Sequence, residues 1–542
     1  MILRTFFLTT ILFFFVACEK SSNDNNTTKD KEITPPTEIN TTTDSDDDGL
    51  ADIYEKSLGL VVGKKDASQP SLDPLYSKQW HLKNTIIVGE DIHIEPVWKE
   101  TLGNKNITVS IVDTGIDANH TDITVDLNKS YRYSDDVNNP SPDASQLYTN
   151  SSGHAHGTAC AGIVAAKGWN SKGVRGVAPN VTLVGLNVFS NPTDATFASA
   201  LLKEGVDISS NSWGGGGANT LYDDKTSLEA ISSGVKSLRD SKGVVYVFAS
   251  GNDSTNANFQ SILTSGFVIA VSSVSQEGVF EDYSDYGANI LISAPGGSRD
   301  TQTQPAIITT DIAGLKYGMD VYKEHWMLDG NEEGDYTNTM NGTSASCPVV
   351  SGVVALMLST NSDLTYRDVQ YILAKTARQN DKDDASWKLN GVNIPVSDKY
   401  GFGVVDAFAV VQMAKTFTTL GSEQNITKAI EVKTLPASQN EMEYKVDIDE
   451  NILVQNVHLV VKTDHNNNGK LRIVIESPSG TKSTLAYGDT VLYSKYNPWK
   501  FLSTQFLDEK SEGNWKVYVE DMGVDNKVGF LTLTLEIKGY KR

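Results

Sequence analysis

Between about residues 71 and 415, short apolar runs alternate with Gly-rich turns and stretches of helical periodicity. That is the pattern of an α/β unit built on a mostly parallel sheet. Ile107–Val112 and Val244–Ala249 are apolar runs of strand length, which predicts strands buried on both faces. The small and apolar runs Ala159–Ala166 and Val349–Leu358 predict buried helices. After about residue 420 the period becomes two. Trp515, Val517 and Val519 alternate with Lys516, Tyr518 and Glu520, and Leu531, Leu533, Leu535 and Ile537 alternate mostly with Thr and Glu. Such half-buried strands predict an antiparallel β-sandwich. At the other end, Arg4 precedes the apolar run Phe6–Val16, which is too short for a membrane span and reads as a secretory signal. The expected organisation is a signal over 1–17, a polar disordered tether over 18–43, an acidic loop segment over 44–70, the α/β unit over 71–417 and the sandwich over 418–542.

The formal net charge of the 542 residues is −22. Phosphate binding needs clustered Lys and Arg, so nucleic acid is not the expected partner. An acidic surface suits an extracellular protein that binds calcium. The mature body holds two cysteines, Cys160 and Cys347, which is too few for a disulfide scaffold. Both read as small buried hydrophobes. Ala17-Cys18 resembles a bacterial lipoprotein cleavage site, with Phe15 where Leu is usual. The chain is therefore expected to be exported, touching a membrane only through a lipid on Cys18, with simple signal cleavage as the alternative.

Asp44-Ser-Asp46-Asp-Asp48-Gly49-Leu50-Ala-Asp52-Ile-Tyr-Glu55 matches the twelve-residue calcium loop. Oxygen ligands stand at positions one, three, five, nine and twelve, Leu50 offers its carbonyl, and Gly49 allows the sharp turn. The preceding stretch is too polar for a paired helix, so an isolated structural loop is expected. Its alternative is an acidic linker.

Three further segments carry reactive groups. Ile107–Val112 runs into Asp113 and Gly115, and functional groups collect at the carboxyl ends of strands in open α/β sheets. Alone, Asp113 reads as a turn residue. Gly153-His154-Ala-His156-Gly-Thr158 places a histidine at the start of a buried helix, and either His154 or His156 alone could be a surface residue. Asn341-Gly-Thr-Ser344-Ala-Ser-Cys-Pro348 places a serine at another helix start. There it is either an N-cap or a nucleophile beside amides that favour an oxyanion.

The order Asp, His, Ser with these flanks matches one of the known chain orders of the hydrolytic triad. The sequence resembles the subtilase family, and within it the kexin and furin branch. The resemblance is carried by DPLYSKQWHLKNT (73–85), IVDTGID (111–117), HGTACAG (156–162), SNSWG (210–214), YVFASGN (246–252), GTSASCP (342–348), LTYRDVQYILAKTA (364–377) and YGFGVVDA (400–407). It implies a serine endopeptidase acting on protein or peptide substrates, with Ser344 as nucleophile, His156 as proton carrier and Asp113 orienting the imidazole. It makes Asn252 the side-chain donor to the oxyanion. It makes Ser212, Trp213 and Gly214 the backbone rail for extended substrate. It implies a stabilising calcium held by Asp73, Asp122, Asn170, Val174 and Gly176. Over Ile452–Lys541, with Glu476–Thr481, Trp499 and Trp515, the chain resembles the P domain of proprotein convertases. That implies an eight-stranded jelly roll whose tryptophans belong to the core.

The sequence also departs from that branch. The acidic positions that select Lys and Arg correspond to Phe197, Gly217 and Gln260, so neutral or apolar side chains are the expected preference. The family's calcium beside its specificity pocket is not expected, because Thr255 and Gly217 replace two carboxylates. Only the tether and the acidic loop precede Asp73, so a dedicated prodomain is not expected. Folding would then draw on calcium, on the C-terminal domain or on a partner protein. The chain is expected to be a monomer. The competing reading is a catalytically inactive binding lipoprotein on the same fold.

Overall fold

The computed structural model describes residues 43–541 apart from 70–71, 216–219, 301–303, 320–329, 435–440, 466, 491, 493–494 and 524–529. The signal, nearly all of the tether and Gly217 lie outside the described residues.

Seven strands form the central sheet: β1 (Thr108–Asp113), β2 (Tyr131–Arg132), β3 (Thr182–Asn187), β4 (Ile208–Asn211), β5 (Val245–Ala249), β6 (Val268–Val274) and β7 (Ile292–Pro295). Their order is β2-β3-β1-β4-β5-β6-β7, and every pairing is parallel. β1, β4, β5, β6 and β7 are buried along their whole length, as the apolar runs Ile107–Val112 and Val244–Ala249 predict for β1 and β5. The chain leaves β1 for β2 and β3 on one side, then crosses to β4 on the other. The reversal makes the carboxyl end of β1 a topological switch point, where such sheets leave a crevice. Asp113 is the last residue of β1 and lies opposite Asn187.

Two helices run through the core. His156–Ala165 is buried at every residue after the first. Thr343–Thr360 is buried from Ala345 to Leu358. Its Pro348 has no N–H and cannot bond the carbonyl one turn back, so the Ser344 carbonyl is left without its helical partner. Residues 44–70 are not a separate body. Leu50 and Ala67 are 0% and 2% exposed and join the same hydrophobic core as Trp80 and Trp98. The calcium-loop stretch leads into the helix Asp52–Leu58, which ends on left-handed Gly59.

The C-terminal unit is two antiparallel four-stranded sheets. In one, Gln424–Thr434, Phe530–Tyr540, Leu453–Thr463 and Trp499–Ser503 are neighbours; in the other, Met442–Ile448, Gly513–Asp521, Leu471–Glu476 and Lys482–Tyr487. Trp515, Val517 and Val519 face inward while Lys516, Tyr518 and Glu520 are only half-buried, which is the period of two read along the chain. Phe259 and Ala288 of the α/β unit sit in this sandwich core.

Asn258 ties the two units together. It is fully buried. Its Nδ2 donates to the Leu502 carbonyl (3.1 Å), its Oδ1 accepts from the Leu502 N–H (2.8 Å), and its own carbonyl accepts from Trp499 Nε1 (2.9 Å). Asn258→Ala would strand two buried backbone groups. Urea unfolding of the full chain should show a loss of about 2–4 kcal/mol; a loss below about 0.5 kcal/mol would mean that this junction does not hold the sandwich in place.

Candidate active site

Asp113 leaves β1 pointing into the switch-point crevice, its side chain 2% exposed. It accepts from the Thr114 N–H (2.7 Å) and faces His156 Nδ1 with both oxygens, at 2.8 and 3.0 Å. A carboxylate can only accept, so Nδ1 carries a proton, and in the neutral ring Nε2 keeps the lone pair. Thr114 fixes the other partner: its Oγ1 accepts from the Gly157 N–H (3.0 Å), holding the start of the histidine helix over the end of β1. His154 lies off this line. Its Nδ1 meets Gln146 Nε2 (3.2 Å), so of the two candidate histidines it is His156 that Asp113 engages. Burial opposes charge on His156, but the Asp113 carboxylate outweighs it and holds the imidazole well above its ordinary 6.5. Cys160 lies one helical turn on, its Sγ 3.9 Å from His156 Nδ1. Burial raises its pKa, so the thiol stays protonated. Cys347 is likewise pushed up to about 12.

Ser344 is the second residue of its helix. Gly342 precedes it at φ 94°, a turn that an L side chain resists. A first-turn N–H has no intrahelical acceptor, so the Ser344 amide remains a free donor. The Ser344 carbonyl, released by Pro348, accepts from Ser212 Oγ (2.9 Å). The Ser344 hydroxyl in turn donates to the Ser212 carbonyl (3.3 Å). The nucleophile candidate is thus held against the rail residue, and its hydroxyl is not hydrogen-bonded to His156.

Asn252 stands beside this turn. Its Oδ1 accepts from the Thr343 N–H (2.9 Å) and from Thr343 Oγ1 (3.0 Å). With the oxygen committed, the NH2 edge is the part left to donate. Asn252 and the Ser344 N–H are two donors suited to one developing negative charge. Two orienting residues lie outside the motif assignments, Thr343 and Asp285. Asp285 is fully buried, and its Oδ1 accepts from the Asp253 N–H (2.9 Å) and the Thr255 N–H (3.0 Å). It clamps the loop that carries Asn252. Burial pushes its carboxyl up to about 7. Gly251, at φ 119°, must be glycine here, since a Cβ would lie 2.1 Å from Asp285 Oδ2. One of three carboxylates in the stretch Glu281–Asp285, Asp285 carries no local pattern that announces this role.

On the rail, Trp213 packs against Phe197 (4.7 Å between ring centroids) and Phe248 (5.2 Å). Gln260 Nε2 donates to the Ser250 carbonyl (3.1 Å), and its Oε1 lies beside Gly214.

The N-terminal loop gathers carboxylates. Oxygens of Asp44, Asp46 and Asp48 converge, and so do those of Asp48, Glu55 and Asp66. Glu55 is 0% exposed, and neither of its oxygens has a partner; Asp46 Oδ2 and Asp66 Oδ1 are also buried and unpaired. Burial first, then the neighbouring carboxylates, pushes Glu55 up to about 7. Several unpaired buried anions cost several kcal/mol each, and hard oxygen donors around a Gly turn suit calcium. Asp66 is an addition to the expected set. Asp52 is not among these converging oxygens; its carboxylate accepts from Ser45 N (2.8 Å) and Ser45 Oγ (2.6 Å) and so braces the loop. Leu50 gives its N–H to Asp48, and its carbonyl remains the expected ligand.

The second expected calcium set is arranged differently. Asp73 is ion-paired with Arg175 Nε (2.5 Å) and accepts from the Trp169 N–H (2.9 Å) and the Asn170 N–H (3.3 Å). Asp122 accepts from Asn170 Nδ2 (2.6 Å), the Val174 N–H (3.4 Å) and Tyr336 Oη (3.2 Å). The Gly176 N–H bonds the Ala166 carbonyl (3.0 Å), and its missing side chain lets the loop lie on the end of the histidine helix. Asp73 already has a guanidinium in contact and Asn170 turns its NH2 edge to Asp122, so the set as arranged does not suit a second cation.

The model of the subtilase family matches residues 104–403, and that of the proprotein convertase P-domain matches 454–537. Furin-1 of Xenopus laevis is 31% identical over 88% of this chain and 60% of its own length. Neuroendocrine convertase 2 of Rattus norvegicus is 30% identical over 85% of this chain and 72% of its own. The chain thus spans 60% of the length of the furins that it matches. Among solved structures, the serine protease of Aeromonas sobria in complex with its chaperone superposes with a TM-score of 0.79 at 22% identity, over 87% of this chain and 96% of that one, a likeness of fold. With its parallel sheet and following sandwich, the chain belongs to the subtilase family and carries a proprotein convertase P-domain.

Proposed function

We propose that this chain is a serine endopeptidase that cuts protein and peptide substrates with Asp113, His156 and Ser344. The observation that carries the reading is the Asp113–His156 pair, at 2.8 Å, beside a helix start whose Asn252 neighbour has its amide oriented by Thr343. An extended substrate would add a strand along Ser212–Gly214, its N–H taken by the rail carbonyls. Arrival of an N–H at the Ser212 carbonyl displaces the Ser344 hydroxyl that now occupies it and frees that hydroxyl for His156. Catalytic hydrogen bonds often tighten only when substrate is present. Ser344 Oγ then attacks the scissile carbonyl as Nε2 accepts its proton. Asp113 stabilises the imidazolium, and the Ser344 N–H and Asn252 Nδ2 take the oxyanion. His156 returns the proton to the leaving amine. A water repeats the sequence on the acyl-enzyme.

In this reading the cleft selects neutral or apolar side chains. Phe197 packs on Trp213, Gln260 is an uncharged amide, and the nearby Asp285 is fully buried under Gly251, so none of the three offers a buried cation an accessible charge partner. Calcium in the loop of Asp44, Asp46, Asp48, Leu50 and Glu55 would be structural. Glu55 and the aspartates would hold it, and it would supply the positive charge that their burial requires. Export and an acyl anchor at Cys18 complete the proposal, on the sequence alone. The Aeromonas sobria protease is solved with a chaperone, and we extend to this chain the expectation of a folding partner.

A fluorophosphonate probe should label the wild type and not Ser344→Ala. Absence of label on folded wild type would favour a binding protein that has kept the fold. Digestion of a peptide library should show few cuts after paired Lys and Arg; dominant dibasic cleavage would overturn the specificity reading. Protonated His156 cannot accept the Ser344 proton, and Asp113 favours that protonated form. Activity (kcat/KM) should therefore rise with pH through an inflection above 6.5. Asp113→Asn should move the inflection down and cost on the order of 10⁴-fold in kcat. An inflection at or below 6.5 in the wild type would contradict the pairing.

A further inference from the structure

Arg175 is 7% exposed at its side chain and lies between two aromatic faces, 4.0 Å from the Tyr76 ring and 4.1 Å from that of Trp169. Both faces of the guanidinium are thereby desolvated and held by π electrons. Its edge is spent on Asp73, with Nε 2.5 Å from Oδ2. Its Nη2 donates to the Ala67 carbonyl (3.5 Å). The Ala67 N–H goes to Asp48 Oδ2 (2.6 Å) in the N-terminal loop. One buried cation therefore satisfies Asp73 and links it, through a single residue, to the acidic loop.

Calcium asks for six to eight oxygen lone pairs at 2.3–2.6 Å. At the Asp73–Asp122 cleft an ion would have to share Asp73 with a guanidinium already in contact. It would meet the N–H groups of Trp169, Asn170 and Val174 and the NH2 of Asn170 where ligands should present oxygen. The Asn170 Oδ1 is committed to the Lys172 N–H (3.0 Å). Gly173 lets Tyr336 enter, because any Cβ there would overlap its ring.

We propose that Arg175 takes the place of a metal ion at the Asp73–Asp122 cleft, so that the body of this subtilase binds no calcium there and is locked by its own side chain. The proposed calcium loop serves only as a contrast: Glu55, Asp46 and Asp66 keep buried carboxylate oxygens without a partner, whereas Asp73 has its cation built in.

Calcium bound by the full mature chain can be counted by competition with a chromophoric chelator. Asp122→Asn is expected to bind as many ions as the wild type, while the Asp46→Asn, Glu55→Gln double variant binds one fewer. Loss of one ion in a folded Asp122→Asn protein overturns the proposal. Equal counts in the wild type and the double variant overturn the loop reading alone. A second measurement does not depend on the Asp122 variant folding. Terbium added to the double variant and excited through tryptophan should stay dark, since Trp169 at Asp73 would be its antenna. A saturable luminescence there, removed by excess calcium, overturns the proposal.

Discussion

The site rests on a buried carboxylate that has one ring to hold. Asp113 ends a strand buried on both sides, so its charge is satisfied by what the crevice supplies: the Thr114 N–H, His156 Nδ1 and, more weakly, the Cys160 thiol. That requirement fixes the imidazole tautomer, its plane and the start of the histidine helix together. Small residues make the approach feasible. Gly157 lies where a Cβ would be 2.2 Å from the Gly115 carbonyl. A larger residue there would lift the helix from the strand end and pull the ring off its carboxylate.

A second group of constraints arranges Ser344 around that ring. Pro348 leaves the Ser344 carbonyl unbonded within the helix, and Ser212 uses it to lock the rail to the nucleophile turn. Thr343 orients Asn252, and Asp285 clamps the loop beneath it. The same loop continues through Asn256 and Asn258, whose amides bond the Leu485 and Leu502 carbonyls of the P-domain (2.8 and 3.1 Å). Only a few residues separate Asn252 from the P-domain junction.

Much of this was legible along the chain. Unbroken apolar runs placed β1 and β5, the period of two placed the sandwich, and the ordered motifs placed Asp113, His156, Asn252 and Ser344 in one family. What escaped was long-range pairing. Asp285 reaches Asp253 across 32 residues, and Arg175 reaches Asp73 across 102, so no local pattern announces either contact. Asp66 lies beyond the twelve-residue loop and joins it only because the chain folds back through Ala67. Nor does loop spacing reveal that the Ser45 hydroxyl also engages the Asp52 carboxylate.

The tautomer and charge of His156 are the most direct test of the account. Nitrogen-15 NMR of histidine-labelled protein should show, in the neutral ring, a protonated Nδ1 with a far-downfield hydrogen-bonded proton and an unprotonated Nε2. That downfield signal should vanish in Asp113→Asn. A neutral ring protonated on Nε2, or a downfield proton that survives the loss of Asp113, would contradict it.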